Sequence, residues 1–146
     1  MKSLVQTLKA QHEAVQELTV ELDEALERGD AAEATALLGK LKTALLAHLE
    51  LEDQQLYPGL LQLAEAQRQD HLAQVAKMYA ANMAFITGGV KRFLAQHERV
   101  TDTAAFRGEW RGILKVLQQR IHSEECTLYP LFERAVATPV PTASVG

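Results

Sequence analysis

Five residues that can donate to a metal fall on mostly hydrophobic helical stripes of this chain: His12, His48, Glu52, His71 and Glu124. Burying an unpaired imidazole or carboxylate costs several kcal/mol, so such groups persist in a core only when hydrogen-bonded, ion-paired or bound to metal. Three imidazoles and two carboxylates meeting inside helices make the donor set of a carboxylate-bridged iron or manganese centre. Imidazole offers nitrogen of intermediate softness, and a carboxylate bridges two ions while offsetting their charge. The competing arrangement is a metal-free polar network, with Glu124 paired to Arg120 and the histidines hydrogen-bonded to Glu52.

Four helical segments have to position these residues. The first runs from Ser3, an N-cap, to Arg28, with Gly29 as its stop, and turns Leu4, Leu8, His12, Val15, Leu22 and Leu26 to one face. The second begins at Asp30, which with Glu33 forms a loose capping box, and its stripe of Leu41, Leu45, His48, Glu52 and Leu56 continues to Tyr57 before Pro58 and Gly59 break it. Residues 60–69 read as helix or turn. The third spans Asp70 to His97 with the stripe His71, Val75, Met78, Asn82, Phe85, Gly89 and Phe93. The fourth starts at caps among Thr101, Asp102 and Thr103 and reaches Tyr129 and Pro130, or runs past them to Val136. It buries Trp110, Ile113, Leu117, Arg120, Glu124, Leu128 and Leu131. Short links make sequential helices antiparallel, so the expected fold is all-α, an up-down-up-down four-helix bundle over residues 1–136 with a flexible C-terminal tail at 137–146.

Depth along the bundle decides which of these groups meet. His12 lies about sixteen residues from the end of its helix and His48 about seventeen from the start of the next, which at ~1.5 Å per residue sets them level. Glu52, near the end of the second helix, matches His71 near the start of the third. Glu124 is the weakest join, roughly 9 Å off the level of His71 by the same rise. His97 is ~39 Å beyond His71 along one helix and cannot share the site. His122 lies about 200° around the helix from both Arg120 and Glu124 and points away.

Composition narrows the classes of partner. Among 146 residues, 15 Lys and Arg face 19 Asp and Glu for a net charge of −4, which disfavours nucleic acid and anionic membrane surfaces. The single Cys126 forms no internal disulfide, and no signal-like segment or apolar run of ~20 residues occurs, so a cytoplasmic location is expected. No phosphate-binding glycine loop, nucleophile triad or cysteine pair with zinc spacing is present.

These residues resemble the hemerythrin-like, or HHE cation-binding, family over roughly residues 3–136. His12 matches a histidine on the first helix. His48 and Glu52 match H-x-x-x-E on the second, followed by Tyr57-Pro58, and His71 falls where a third-helix histidine is expected. The fourth element departs: aligned on Tyr129-Pro130, Glu124 is kept and the histidine position holds Arg120. Arginine has no lone pair to donate. The resemblance therefore leaves three outcomes: an asymmetric di-iron site, a single-metal site on His12, His48, His71 and a carboxylate, or an emptied site with an Arg120–Glu124 ion pair. A rotated fourth helix would bring in His122 with Glu125 or Cys126 instead. The family implies binding or sensing of oxygen, nitric oxide or iron, with Fe, or alternatively Mn, as cofactor and a diatomic gas or peroxide as small partner. A metal-free regulatory or interaction module and a peroxidase-like or nitric-oxide-reducing enzyme are the alternatives, and no protein partner is indicated.

Overall fold

Ser3 opens the first helix with a complete capping box, its hydroxyl accepting from the Gln6 amide while the Gln6 side chain accepts from the Ser3 amide. In the computed structural model, which describes residues 2–139, six α-helices follow one another: α1 (Leu4–Glu27), α2 (Ala31–Leu51), α3 (Tyr57–Ala66), α4 (Asp70–Gln96), α5 (Thr103–Ser123) and α6 (Tyr129–Ala137). Gly29 adopts φ 71°, the left-handed conformation that ends a helix without strain. Asp30 and Asp102 then cap α2 and α5 by accepting from the Glu33 and Ala105 amides.

The six helices make four rods, because α2 runs into α3 and α5 into α6 through single π-helical turns, Glu52–Leu56 and Glu124–Leu128. Prolines explain both. Pro58 and Pro130 lack an N–H, and a proline ring clashes with the carbonyl four residues back in a regular helix. Widening the preceding turn relieves the clash: the Tyr57 and Tyr129 amides reach back five residues to the Glu52 and Glu124 carbonyls. Proline thus bends the hydrogen-bond register where the sequence pattern expects a break at Pro58, and residues 60–69 are largely helix. The fold is the expected all-α four-helix bundle, with no strand among the described residues. Of the expected tail, residues 140–146 lie outside the described ones.

Leucine fills the core above and below the polar level. Leu8, Leu22, Leu41, Leu56, Leu60 and Leu128 are fully enclosed, and each such side chain contributes about 1.5–3 kcal/mol of burial. At one end Gln67 donates to the Ala135 carbonyl at 2.7 Å, and α3 passes so close to α6 that a Cβ on Gly59 would stand 3.4 Å from Phe132. At the other end Trp110 donates to Asp23 at 2.9 Å beside Phe93 and Phe106. His97 caps α4 there, its Nε2 2.7 Å from Glu109. No helix is long and apolar enough to cross a membrane.

The inward face of α4 differs from the expected one. Leu72, Ala76, Met83, Thr87, Val90, Phe93 and Leu94 are buried, so of the expected stripe Phe93 faces inward, whereas Met78 and Phe85 are 65% and 81% exposed and Asn82 and His71 face outward. The stripe is displaced by about one residue, which turns it ~100° around the helix.

Candidate metal centre

His12 from α1, His48 from α2, and Glu52 and Glu124 from the starts of the two π turns converge, offering ligand atoms that all lie within 4.8 Å of one another. All four side chains are buried, at 1%, 3%, 0% and 1% exposure. His48 Nε2 stands 3.2 Å from Glu52 Oε1, and His12 Nε2 stands 3.5 Å from Glu124 Oε1. The far nitrogen of each ring is held from behind. Gln11 Oε1 lies 2.8 Å from His48 Nδ1 and accepts its proton, which leaves Nε2 with a free lone pair facing the carboxylates. The half-exposed Glu125 carboxylate stands 3.4 Å from His12 Nδ1 and favours the same tautomer there.

Tyr129 ties the cluster together. Its hydroxyl donates to Glu52 Oε2 at 3.1 Å, and its oxygen stands 3.1 Å from His12 Nε2. The π turn makes this possible, since the extra residue in the turn brings the tyrosine five positions after Glu124 onto the glutamate's face.

The other side of the cluster is built differently. Arg120 sits where a histidine would complete the second half, and its Nη2 donates to the Tyr79 carbonyl at 3.2 Å and the Tyr57 hydroxyl at 3.4 Å. Its guanidinium carbon lies 4.9 Å from the centre of the Tyr79 ring. No ion pair within 4 Å joins Arg120 and Glu124 among the described residues, so the pairing considered from the sequence does not form. From α4 the cluster receives Met83, which with Ile86, Val90, Leu117, Ile121 and Arg120 lines a cavity of about 20 Å³ against His12, His48 and Glu124. A cavity needs ~10–15 Å³ to hold one water.

The structure therefore brings His12, His48, Glu52 and Glu124 together and leaves His71 out. His71 lies exposed in the first turn of α4, because α3 prolongs the second rod about fourteen residues beyond Glu52, roughly 21 Å along the bundle. His122 is exposed on the outer face of α5, 3.7 Å from the exposed Cys126. Gln11, Tyr57, Tyr79, Met83 and Tyr129 join the site beyond the residues the sequence pattern singles out, and Glu125 backs His12 without the rotation of the fourth helix that would have brought it in with His122. The available signal was each tyrosine's position immediately before proline and five residues after a site glutamate.

Burial dominates the electrostatics. Burial, and next the adjacent His48 ring, lower the His12 pKa to about 4, so the imidazole is neutral and its lone pair free at neutral pH. Burial, the hydrogen bond to Glu52 and the charge on Glu52 push Glu124 up to about 11, leaving it protonated. Burial opposes the charge on Glu52 most, yet the adjacent His48 ring, Glu124 and the Tyr129 hydroxyl outweigh it and hold Glu52 below the ordinary carboxylate range. One proton shared by two facing carboxylates occupies the place of a cation.

Whether a metal fits is decided by the atoms left without partners. His48 Nε2, Glu52 Oε1 and Glu124 Oε2 are buried inside the cluster and lack hydrogen bonds. At about 1–3 kcal/mol each, three such atoms cost a large part of the net stability of many domains, about 5–15 kcal/mol. Two imidazoles and two carboxylates match the ligands of a first-row divalent ion, whose binding would recover that cost.

Fold and site together define an all-helical bundle with a histidine–carboxylate metal site in its core. The model of the hemerythrin HHE cation binding domain matches residues 3–132, and the chain belongs to that family. No curated protein and no solved structure matches the chain.

Proposed function

We propose that this chain binds iron, or manganese on the same donors, through His12, His48, Glu52 and Glu124, and receives a small molecule such as oxygen, nitric oxide or peroxide beside it, as a carrier or sensor. When bound, such an ion supplies an open coordination position and a change of oxidation state. The observation that supports this reading is the convergence of four buried donor residues, with polar atoms left unpaired inside the cluster, in a core otherwise packed with leucine.

The chain's own residues supply the rest. Gln11 and Glu125 orient the two imidazoles from behind, and Tyr129 fixes Glu52 by its hydrogen bond. The apolar side chains of Met83, Ile86, Val90 and Leu117 line the adjoining cavity, which at about 20 Å³ has room for about one water-sized molecule. Arg120, whose buried Nε has no partner, is placed to donate to a ligand that gains negative charge.

Elemental analysis with an absorption spectrum of aerobically purified protein tests this reading. Iron or manganese retained through gel filtration, and a melting temperature that falls with chelator and recovers with Fe(II), are expected. A chain that holds no metal and melts identically with and without Fe(II) would instead be a metal-free helical module.

A further inference from the structure

The two halves of the bundle repeat one another at an offset of 72 residues: Leu56-Tyr57-Pro58 maps onto Leu128-Tyr129-Pro130, Glu52 onto Glu124 and His48 onto Arg120. The same offset carries His12 to the turn of α4 that holds Met83. One half thus presents His12, His48 and Glu52, and its counterpart presents Met83, Arg120 and Glu124. From this asymmetry we infer that the centre holds a single metal ion, on His12, His48, Glu52 and Glu124, with the Arg120 guanidinium as a built-in cation in place of a second ion. The inference rests on the metal-binding reading above and fixes its stoichiometry.

Three observations support it. The first is the size of the cluster. With metal–ligand bonds of ~2.1 Å, ligand atoms on one ion stand at most ~4.2 Å apart. Ligands on the far sides of two ions spaced ~3.5–4 Å stand roughly 8 Å apart. One ligand atom from each of the four residues lies within 4.8 Å of the others, about 0.6 Å beyond that limit, so a modest closing movement brings them onto one ion.

The second is the poverty of donors on the opposite side. Arg120 is a permanent cation without a lone pair. It is held by the Tyr79 carbonyl, the Tyr57 hydroxyl and the Tyr79 ring, contacts that keep it in place whether or not a metal is present. Met83 offers only a thioether, a soft donor poorly suited to a hard ion bridged by carboxylates. Apart from the shared carboxylates, a second ion would find neither nitrogen nor oxygen side chains of the type that hold the first.

The third is charge. Leaving aside the half-exposed, solvated Glu125, two ionised carboxylates and one guanidinium leave one negative charge at the cluster. One divalent ion reverses this to a single positive charge, which one small anion in the cavity balances. Two ions would leave three positive charges in a water-excluded core, where uncompensated charge is strongly penalised. Arg120 supplies from the protein the positive charge that a second ion would otherwise bring, and its repulsion weakens a second site further.

The experiment is a metal count. Metal-depleted full-length chain is titrated with Mn(II), and separately with Fe(II) under anaerobic conditions. Bound ions are counted by native mass spectrometry, and the Mn(II) sample is read by electron paramagnetic resonance. One ion per chain with the spectrum of isolated Mn(II) is expected, and Arg120→Met is expected to keep that count, since Arg120 is not a ligand. The double substitution Met83→His with Arg120→His, which restores nitrogen donors to the second half, is expected to raise the count to two. Two ions in the unaltered chain, or a spin-coupled Mn(II) pair, would overturn the inference while leaving the metal-binding reading intact. No bound ion would overturn both. Should the double variant fail to fold by circular dichroism, the count in the unaltered chain still decides.

Discussion

The halves α1 to α3 and α4 to α6 share a scaffold and differ in chemistry. Each has a long helix, a π turn opened by a buried glutamate, and a Tyr-Pro pair that enforces the turn. Each tyrosine also reaches across to the other half: Tyr129 to Glu52 and His12, Tyr57 to Arg120. The first half carries imidazoles backed by acceptors; the second carries a guanidinium backed by a carbonyl and an aromatic ring. Backbone register at this site is set by proline and is kept in both halves, while ligand capacity is set by two side-chain positions and differs between them.

The sharpest way to break this comparison is to substitute the corresponding residues of the two halves. His12→Ala or Glu52→Ala is expected to weaken Mn(II) binding by at least about 100-fold, since loss of outer partners alone costs 10–100-fold at metal sites. Arg120→Met should stay within about tenfold of the parent. Isothermal titration gives both numbers. With metal at about 100 times its Kd, binding adds ~2.7 kcal/mol, a rise of roughly 5–11 °C in melting temperature for a chain of this size. That rise is expected to vanish in His12→Ala and persist in Arg120→Met.

The next effect is pH dependence, and it isolates Glu124. Its carboxyl is held protonated up to about 11, while His12, lowered to about 4, is already neutral. A metal must displace the Glu124 proton, so affinity is expected to rise about tenfold per pH unit between pH 6.5 and 8. Stability of the metal-free fold runs the other way. Unfolded Glu124 ionises near 4.5 and the folded group does not, so stability falls as pH rises. Below and around 6.5, the ordinary value for a histidine, His12 opposes this trend, because the unfolded imidazole takes up a proton that the folded one refuses. Well above 6.5, and below the range in which tyrosine ionises, only the Glu124 effect remains. Chelator competition and urea midpoints across pH 6.5–8 should show both slopes, and Glu124→Gln should flatten both.

A smaller contrast separates the tyrosines. Tyr129→Phe strips a partner from buried Glu52 and His12 and is expected to cost about 1–3 kcal/mol in the metal-free protein. Tyr57→Phe loses one 3.4 Å contact from half-buried Arg120 and should cost within about 1 kcal/mol. Urea denaturation at fixed pH compares them directly.

Helix count, caps and the inward phase of three rods were legible in the sequence because apolar side chains recur every three or four residues at His12, His48, Glu52, Arg120 and Glu124. The rest was hidden for two reasons. A proline inside a helical pattern signals a stop, yet Pro58 and Pro130 are accommodated by widening one turn, so the second rod outruns its expected end and His71 is carried away from the site. In α4 two adjacent stripes are both apolar enough to serve as a core face. Anchoring the phase on His71 selected the stripe with Met78 and Phe85, when leucine, alanine and valine at 72, 76, 90 and 94 were the better guide. Tyr129 escaped notice because a strict 3.6-residue period places it off the face of Glu124.

The smallest expected effect is the one that separates donor chemistry from position. His71 and His122 are the same imidazole as His12 and His48, and both are exposed. At the surface an imidazole is already solvated and buries too little area for its removal to open a cavity. His71→Ala and His122→Ala, alone or together, are therefore expected to change stability by no more than about 0.5 kcal/mol and to leave the number and affinity of bound Mn(II) ions unchanged. Native mass spectrometry and a melting curve of the double variant check both. A lost ion would mean that the first turn of α4 moves about 20 Å toward the centre on metal binding, a displacement that the leucines packed between the two levels oppose.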